Sequence, residues 1–219
     1  MKRLENSRLE LLLTDGISTF LFDQPRTRDI LMLEIVKERL QTGKVVYIDL
    51  DTSFTASLII RKANYDNLTI ILPKGHEVEE ALLVLLSWTT PSMSLLVLDS
   101  VTTFNQIIGG LTSFTSKNRK LGLYLALLRG LASRASAPIV VTSHWGYARA
   151  KRGTDDWTRH YSGGRVLDHH SSNIYSANMN DEEISIKVIK SHQTQKDEIF
   201  LVKSETFESK NGVANKHTD

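Results

Sequence analysis

The chain has 219 residues, 41% hydrophobic and 24% charged, a globular composition that excludes wholesale disorder. Twelve glycines and four prolines exclude collagen-like character, and the absence of cysteine excludes disulfides, thiolate catalysis and Cys-ligated metal sites. Twenty-seven Lys plus Arg against 25 Asp plus Glu leave a formal +2, which by itself names no partner. No apolar run approaches the roughly 18 residues of a membrane helix, and the start at Met1–Glu5 is charged rather than signal-like. A soluble, cytoplasmic protein without a membrane partner is expected.

In chain order, Ile17–Phe22 is an apolar and aromatic strand. Arg28–Leu40 follows as an amphipathic helix, with Glu34, Lys37, Glu38 and Arg39 expected on the solvent side. Thr42-Gly43 ends it, and Val45–Asp49 is a buried-type strand rich in β-branched residues. Ser57–Ala63 is predicted as a short helix, Leu68–Leu72 as a strand and Glu77–Trp88 as a helix. Ser94–Leu98 is a strand closing on Asp99-Ser100, Asn118–Ala135 the longest helix, and Pro138–Thr142 the next buried strand. Five β-like runs separated by helices predict an α/β fold with a mostly parallel twisted sheet covered on both faces.

After Ser143 the pattern changes. Residues 144–170 are polar, basic and rich in Gly, His and Trp without clear period, and are predicted as a long functional loop. Ser172–Ala177, Ile184–Ile189 and Ile199–Val202 alternate and are predicted as an antiparallel extension of the sheet. The domain is drawn as 1–208, with a polar, disordered tail over 209–219.

Several of these segments resemble one family in order and strand context. LLVLDS (95–100) looks like a Walker B strand, and VVYIDLDTSF (45–54) resembles the segment whose strand end carries a general-base carboxylate. The stretch 118–145 resembles a helix and strand ending in a Thr-Asn-Gln sensor, and GGRVLDHHSSNIYSA (163–177) a Gly-Gly segment closing a second DNA-binding loop. Over roughly residues 8–205 the chain is similar to the RadA/RecA superfamily core. It most resembles an archaeal RadA paralogue without the recombinase's N-terminal domain. The resemblance implies a RecA-like fold with ATP and Mg²⁺ at the strand ends.

The departure is at the phosphate site. A P-loop reads G-x-x-x-x-G-K-[ST], because glycines let backbone N–H groups wrap phosphates, Lys reaches the β/γ-phosphates and the hydroxyl binds Mg²⁺. Here the aligned stretch is Phe22, Asp23, Gln24, Pro25, Arg26, Thr27, Arg28, Asp29. Phe22 and Thr27 replace the glycines, Arg28 the Lys and Asp29 the Ser/Thr, and Pro25 offers no N–H. Asp29 is expected to place the protein's own carboxylate at the helix N-terminus, where it competes with a phosphate. Of the other family positions, Asp51 stands at the catalytic Glu, Asp99 at the Walker B carboxylate, and His144 at the sensor Gln. Asp51 is a shorter carboxylate that could still orient water, while Asp99 also reads as a sheet-edge cap and His144 as a hydrogen-bonded strand-end residue. No cofactor is expected unless the altered site still takes ATP and Mg²⁺. His160, His169 and His170 near Asp168 lack i, i+4 ligand spacing, so no metal site is assigned to them. Ser143, His144 and Asp99 lack the G-x-S-x-G context of a hydrolase.

Charge is unevenly distributed. Between Asp99 and Asp155 lie 55 residues with no acid and eight cations: Lys117, Arg119, Lys120, Arg129, Arg134, Arg149, Lys151 and Arg152. The remaining 164 residues hold 19 cations and 25 acids, a formal −6. By the resemblance, two DNA loops fall near Thr103–Lys117 and Trp145–Arg165. In the second, Arg149, Lys151, Arg152, Arg159 and Arg165 interleave with Tyr147, Trp157 and Tyr161, the pairing of cations and stacking faces that single strands require. The DNA-binding candidates are Lys117, Arg149, Lys151, Arg152, Trp157, Arg159, His160 and Arg165. The plain alternative is a solvated basic loop that docks on an acidic partner.

The resulting expectation is a RadA paralogue that binds single-stranded DNA and modulates recombination and repair beside RadA recombinase or another paralogue. It would lack efficient ATP hydrolysis and be nucleoid-associated when DNA-bound. Two alternatives stand beside it: a DNA-dependent ATPase with a non-standard P-loop, and a KaiC-like scaffold without DNA affinity.

Overall fold

The computed structural model describes residues 2–4, 9, 11–13, 16–87, 92–109, 113–149, 157–180, 183–191 and 197–203. The tail expected over 209–219 lies outside the described residues. Ten strands and six helices are described. In chain order they are β1 (Lys2–Leu4), β2 (Ile17–Phe22), α1 (Pro25–Leu40), β3 (Lys44–Asp49), α2 (Ser53–Ile60), β4 (Leu68–Ile71), α3 (Val78–Leu86) and β5 (Met93–Asp99). They continue as α4 (Val101–Gly109), α5 (Phe114–Ala135), β6 (Ile139–Arg149), β7 (Trp157–Tyr161), α6 (Gly164–His170), β8 (Asn173–Asn180), β9 (Glu183–Lys190) and β10 (Ile199–Lys203).

The sheet runs β1-β10-β9-β8-β2-β6-β5-β3-β4, with β7 attached to β6 alone. Strands β8, β2, β6, β5, β3 and β4 are mutually parallel. The expected antiparallel extension is present, with β9 antiparallel to both β8 and β10. β8 pairs in parallel with β2, β9 alone reverses, and β10 returns to the common direction. At the far edge β1 lies parallel to β10, with Lys2 opposite Phe200.

Strand alternation sorts the core into two layers. Val45, Tyr47, Leu95, Val97 and Val140 face one buried cluster with α1 and α2. Val46, Ile48, Leu96, Leu98, Ile139 and Val141 face the other, with α3, α4, α5 and α6. A period of two with both faces apolar is what a doubly covered parallel sheet demands. Helix α1 departs from the amphipathic expectation: Arg28 and every residue from Ile30 to Val36 are buried, Glu34 included. Glu34 does not lie on the solvent side; its carboxylate is 3.6 Å from Lys37 Nζ.

Two segments read as loops are ordered elements. Residues 101–109, which overlap the start of the first DNA loop expected over Thr103–Lys117, form α4, with Val101 and Phe104 buried one turn apart. Within the long loop drawn over 144–170, β6 runs on to Arg149, pairs antiparallel with β7, and α6 follows. Tyr147, Trp157, Thr158, Arg159 and His160 of the hairpin are exposed, so it carries no apolar alternation and periodicity did not reveal it.

Candidate functional site

The parallel strands deliver their carboxyl ends to one rim, where α/β sheets place ligands. β2 ends at Phe22, and only Asp23 and Gln24 link it to α1, which begins with Pro25 at its first position. Proline suits that position because its missing N–H would have no helical partner there. Both positions aligned with P-loop glycines thus lie in regular structure, Phe22 in the strand and Thr27 in the first turn. A two-residue link leaves no loop to wrap a phosphate. Contrary to the expectation from sequence, Asp29 is not an N-terminal cap. The helix starts earlier, its first turn is free of acids, and the N-cap Gln24 makes no side-chain capping bond.

Asp29 belongs instead to a cluster organised by Arg28, which is 1% exposed. Arg28 Nη1 lies 2.5 Å from Asp51 Oδ2 and 3.4 Å from Asp99 Oδ1. Nε and Nη2 donate to Asp29 Oδ1 at 3.2 and 3.1 Å, and Nη2 also donates to Ser53 Oγ. Ser53 passes the chain on, donating to Asp29 at 2.6 Å. Asp99 is fully buried and accepts from Tyr47 Oη at 2.6 Å and from Thr142 Oγ1. Tyr47 in turn stacks on Phe54, ring centroids 3.9 Å apart. Asp51, Asp99, His144 and Arg28 therefore meet at one rim. Tyr47, Ser53 and Thr142 were missed, although a buried-strand tyrosine needs a partner for its hydroxyl.

The electrostatics follow from burial. Burial pushes the Asp99 carboxyl up to about 6, against the opposing pull of the Arg28 charge and its two hydroxyl donors. Burial also raises Asp49, whose Oδ2 accepts from the Thr55 backbone N–H and hydroxyl at 2.8 and 2.7 Å. Burial alone would depress Arg28; Asp99 foremost, then Asp51 and Asp29, more than reverse it and keep the guanidinium charged. His144 is lowered by burial and by Arg28, so its neutral Nε2 accepts from Arg28 Nη1 at 3.2 Å. Among the described residues, Asp49, Asp51 and Asp99 are the acids grouped closely enough to share a cation. The Arg28 guanidinium already sits between Asp51 and Asp99. These residues do not fit a nucleotide–Mg²⁺ pair: the countercharge is a side chain, and the cradle is a helix.

The second candidate region is the hairpin formed by the carboxyl-terminal half of β6 and β7. The hairpin register sets Trp145 opposite Tyr161, Tyr147 opposite Arg159, and Arg149 opposite Trp157. Directly opposed residues share a face, so Trp145, Tyr147, Trp157, Arg159 and Tyr161 lie along one ladder. Trp157 and Tyr147 are 59% and 62% exposed. A cleft of about 720 Å³ opens at the base of the hairpin, where Tyr161 and His160 of β7 meet Lys117 and Asn118 of α5, Asn105 of α4, and Gly163 and Arg165 at the start of α6. Gly163 makes the close approach possible: its φ is +78°, and a Cβ there would lie 2.9 Å from Leu121 and Val101. Of the eight DNA candidates, Lys117, His160 and Arg165 converge in the cleft, while Trp157 and Arg159 lie on the ladder. Arg149 is placed by its backbone, and Lys151 and Arg152 lie outside the described residues.

The eight-cation stretch does not form one face. Lys120 pairs with Glu79 at 2.5 Å, and Arg134, about 25 Å along α5 from Lys117, donates to the Leu86 carbonyl. The histidines near Asp168 serve local contacts. Asp168 accepts from Tyr161 Oη at 2.5 Å, and the His169 and His170 rings meet edge-on at 5.1 Å.

No helix of the described residues is long and apolar enough to cross a membrane. No protein-family model matches the chain, and no curated protein does. Among solved structures, the RadB recombinase superposes with a TM-score of 0.67 over 90% of this chain and 92% of that one, at 14% identity. At that identity the likeness establishes the fold, and the chain has the mixed α/β architecture of a RecA-like core.

Proposed function

We propose that this protein binds single-stranded DNA and modulates recombination and repair as an accessory subunit, without efficient ATP hydrolysis of its own. The observation that carries the DNA reading is the cleft where Lys117, His160 and Arg165 converge, with Trp157 and Tyr147 exposed on the adjoining hairpin. Cations track phosphates, and each exposed ring offers a stacking face that every base can use. The two-residue link between β2 and α1 and the buried Arg28 cluster support independence from nucleotide. The shared fold with a recombinase supports a role in recombination, with RadA recombinase or another RadA paralogue as partner. When bound to DNA the protein would sit with the nucleoid.

The test is a titration of a fluorescent deoxythymidine oligomer across a salt series. Four or five phosphate contacts give a slope of log affinity against log salt near −3. Lys117→Ala with Arg165→Ala should flatten it by about 1.4, two contacts' worth. A salt-independent signal, or no binding at low salt, sinks the DNA reading. In parallel, millimolar ATP with Mg²⁺ should leave the melting temperature unchanged, because a ligand that binds the native state must stabilise it. A rise that disappears in Arg28→Ala would restore the ATPase alternative.

A further inference from the structure

We propose that Asp23 restrains the DNA-binding hairpin as a built-in counter-charge, holding Arg159 in place of a phosphate; this rests on the DNA reading above. Arg159 Nη2 on β7 donates to Asp23 Oδ2 at 2.5 Å. Its guanidinium carbon lies 4.0 Å from the centre of the Trp145 ring. Trp145 is itself pinned, its indole N–H donating to Ser176 Oγ at 3.1 Å and its ring meeting Tyr161 edge-on at 5.3 Å. Asp23 is held from a third side: with its amide turned to satisfy both atoms, Asn178 donates to the same Oδ2 at 2.7 Å. Strands β7 and β8 thus fasten a carboxylate of the β2–α1 link onto the cation midway along the aromatic ladder.

That carboxylate acts on the ladder in two ways. It neutralises Arg159, and it repels a phosphate that approaches the neighbouring Tyr147 and Trp157. The Arg159 and Asp23 side chains are 37% and 36% exposed, so the pair is screened by solvent and a DNA phosphate can displace it. Among the described residues Lys117 and Arg165 have no such carboxylate within salt-bridge distance, which makes Arg159 the restrained cation of the set. The β2–α1 link occupies the position where the resemblance puts a phosphate-binding loop, and here it carries an anion directed at the hairpin.

The test compares wild type with Asp23→Asn for binding to a deoxythymidine oligomer across a salt series. Asp66→Asn, on the exposed loop before β4, is the control for net charge. Asp23→Asn should bind about three- to fivefold tighter at low salt, as expected for releasing one exposed ion pair. Its salt slope should steepen by about 0.7 through one added phosphate contact. Binding by Asp23→Asn where wild type shows none would also support the restraint. Equal affinity and slope in a binding-competent wild type would overturn this inference alone and leave the DNA reading standing. Weaker binding by Asp23→Asn would overturn it by showing that Asp23 orients Arg159 for DNA. An equal gain in Asp66→Asn would overturn it by showing a net-charge effect. If neither wild type nor Asp23→Asn binds, both readings fall together.

Discussion

The middle of β6 and the hairpin at its carboxyl end use arginine in opposite ways. At the rim of the parallel sheet, Arg28 is buried and donates to Asp29, Asp51, Ser53 and His144, with Asp99 at 3.4 Å. Around the hairpin and cleft, Arg165, His160 and Trp157 face solvent, and Arg159 is held by a single carboxylate, Asp23, in a pair more than a third exposed. A closed network of charges specifies the fold, whereas an open one is available to a partner. The contrast explains why a single residue type at neighbouring sites supports different chemistry.

The largest expected effect tests the closed end. Arg28→Met removes the countercharge from three carboxylates and should destabilise the protein by about 3–5 kcal/mol at neutral pH in urea denaturation. The loss should shrink in acid as Asp99 takes up a proton. A change below about 1 kcal/mol would show that the cluster is solvated after all.

The next prediction concerns pH. Asp99 has a folded pKa of about 6 against 3.8 for an exposed carboxylate, so the folded state holds its proton more tightly. Its contribution to stability is therefore fully present below about pH 4 and is lost as pH rises through 6. Relative to wild type, Asp99→Asn should gain about 3 kcal/mol between pH 4 and 7, two pKa units' worth. Parallel stability curves for the two proteins would contradict the buried, raised carboxyl.

At the open end the effects are smaller in stability and larger in binding. Gly163→Ala forces a Cβ into Leu121 and Val101 at positive φ, and should cost about 1–3 kcal/mol of stability while narrowing the cleft. Trp157→Ala should weaken oligonucleotide binding by about 1–3 kcal/mol. Its melting temperature should stay within a degree or two, since the ring is mostly exposed. If the two losses at Trp157 were reversed, with stability falling and binding intact, the ladder would be a packing element.

Much of the fold was legible because buried parallel strands announce themselves: Ile17–Phe22 matches the predicted range residue for residue, and Val45–Asp49 differs from β3 by one. Helix α4 was hidden by its polar Thr, Asn and Gln residues and by a family likeness that placed a loop there. The hairpin was hidden because its alternating aromatics and cations answer to an external surface and give no apolar period. At the site, the substitutions at Phe22, Thr27, Arg28 and Asp29 were visible one by one. What composition could not show is that α1 starts at Pro25, which turns a would-be loop into helix. Nor could it show that Arg28 reaches Asp51, 23 positions away, and Asp99 across the sheet.

The edge pairing of β1 with β10 has a consequence for biosynthesis. Among the described residues β10 is the only strand that β1 touches, and Lys2 must find Phe200. On a ribosome adding about 5–20 residues per second, the first strand waits roughly 10–40 s for its neighbour to be made. The central strands can meet during that interval, whereas this edge closes only once β10 has been made. Nascent chains arrested before residue 199 should therefore carry an unpaired amino-terminal strand, open to chaperones and to proteases.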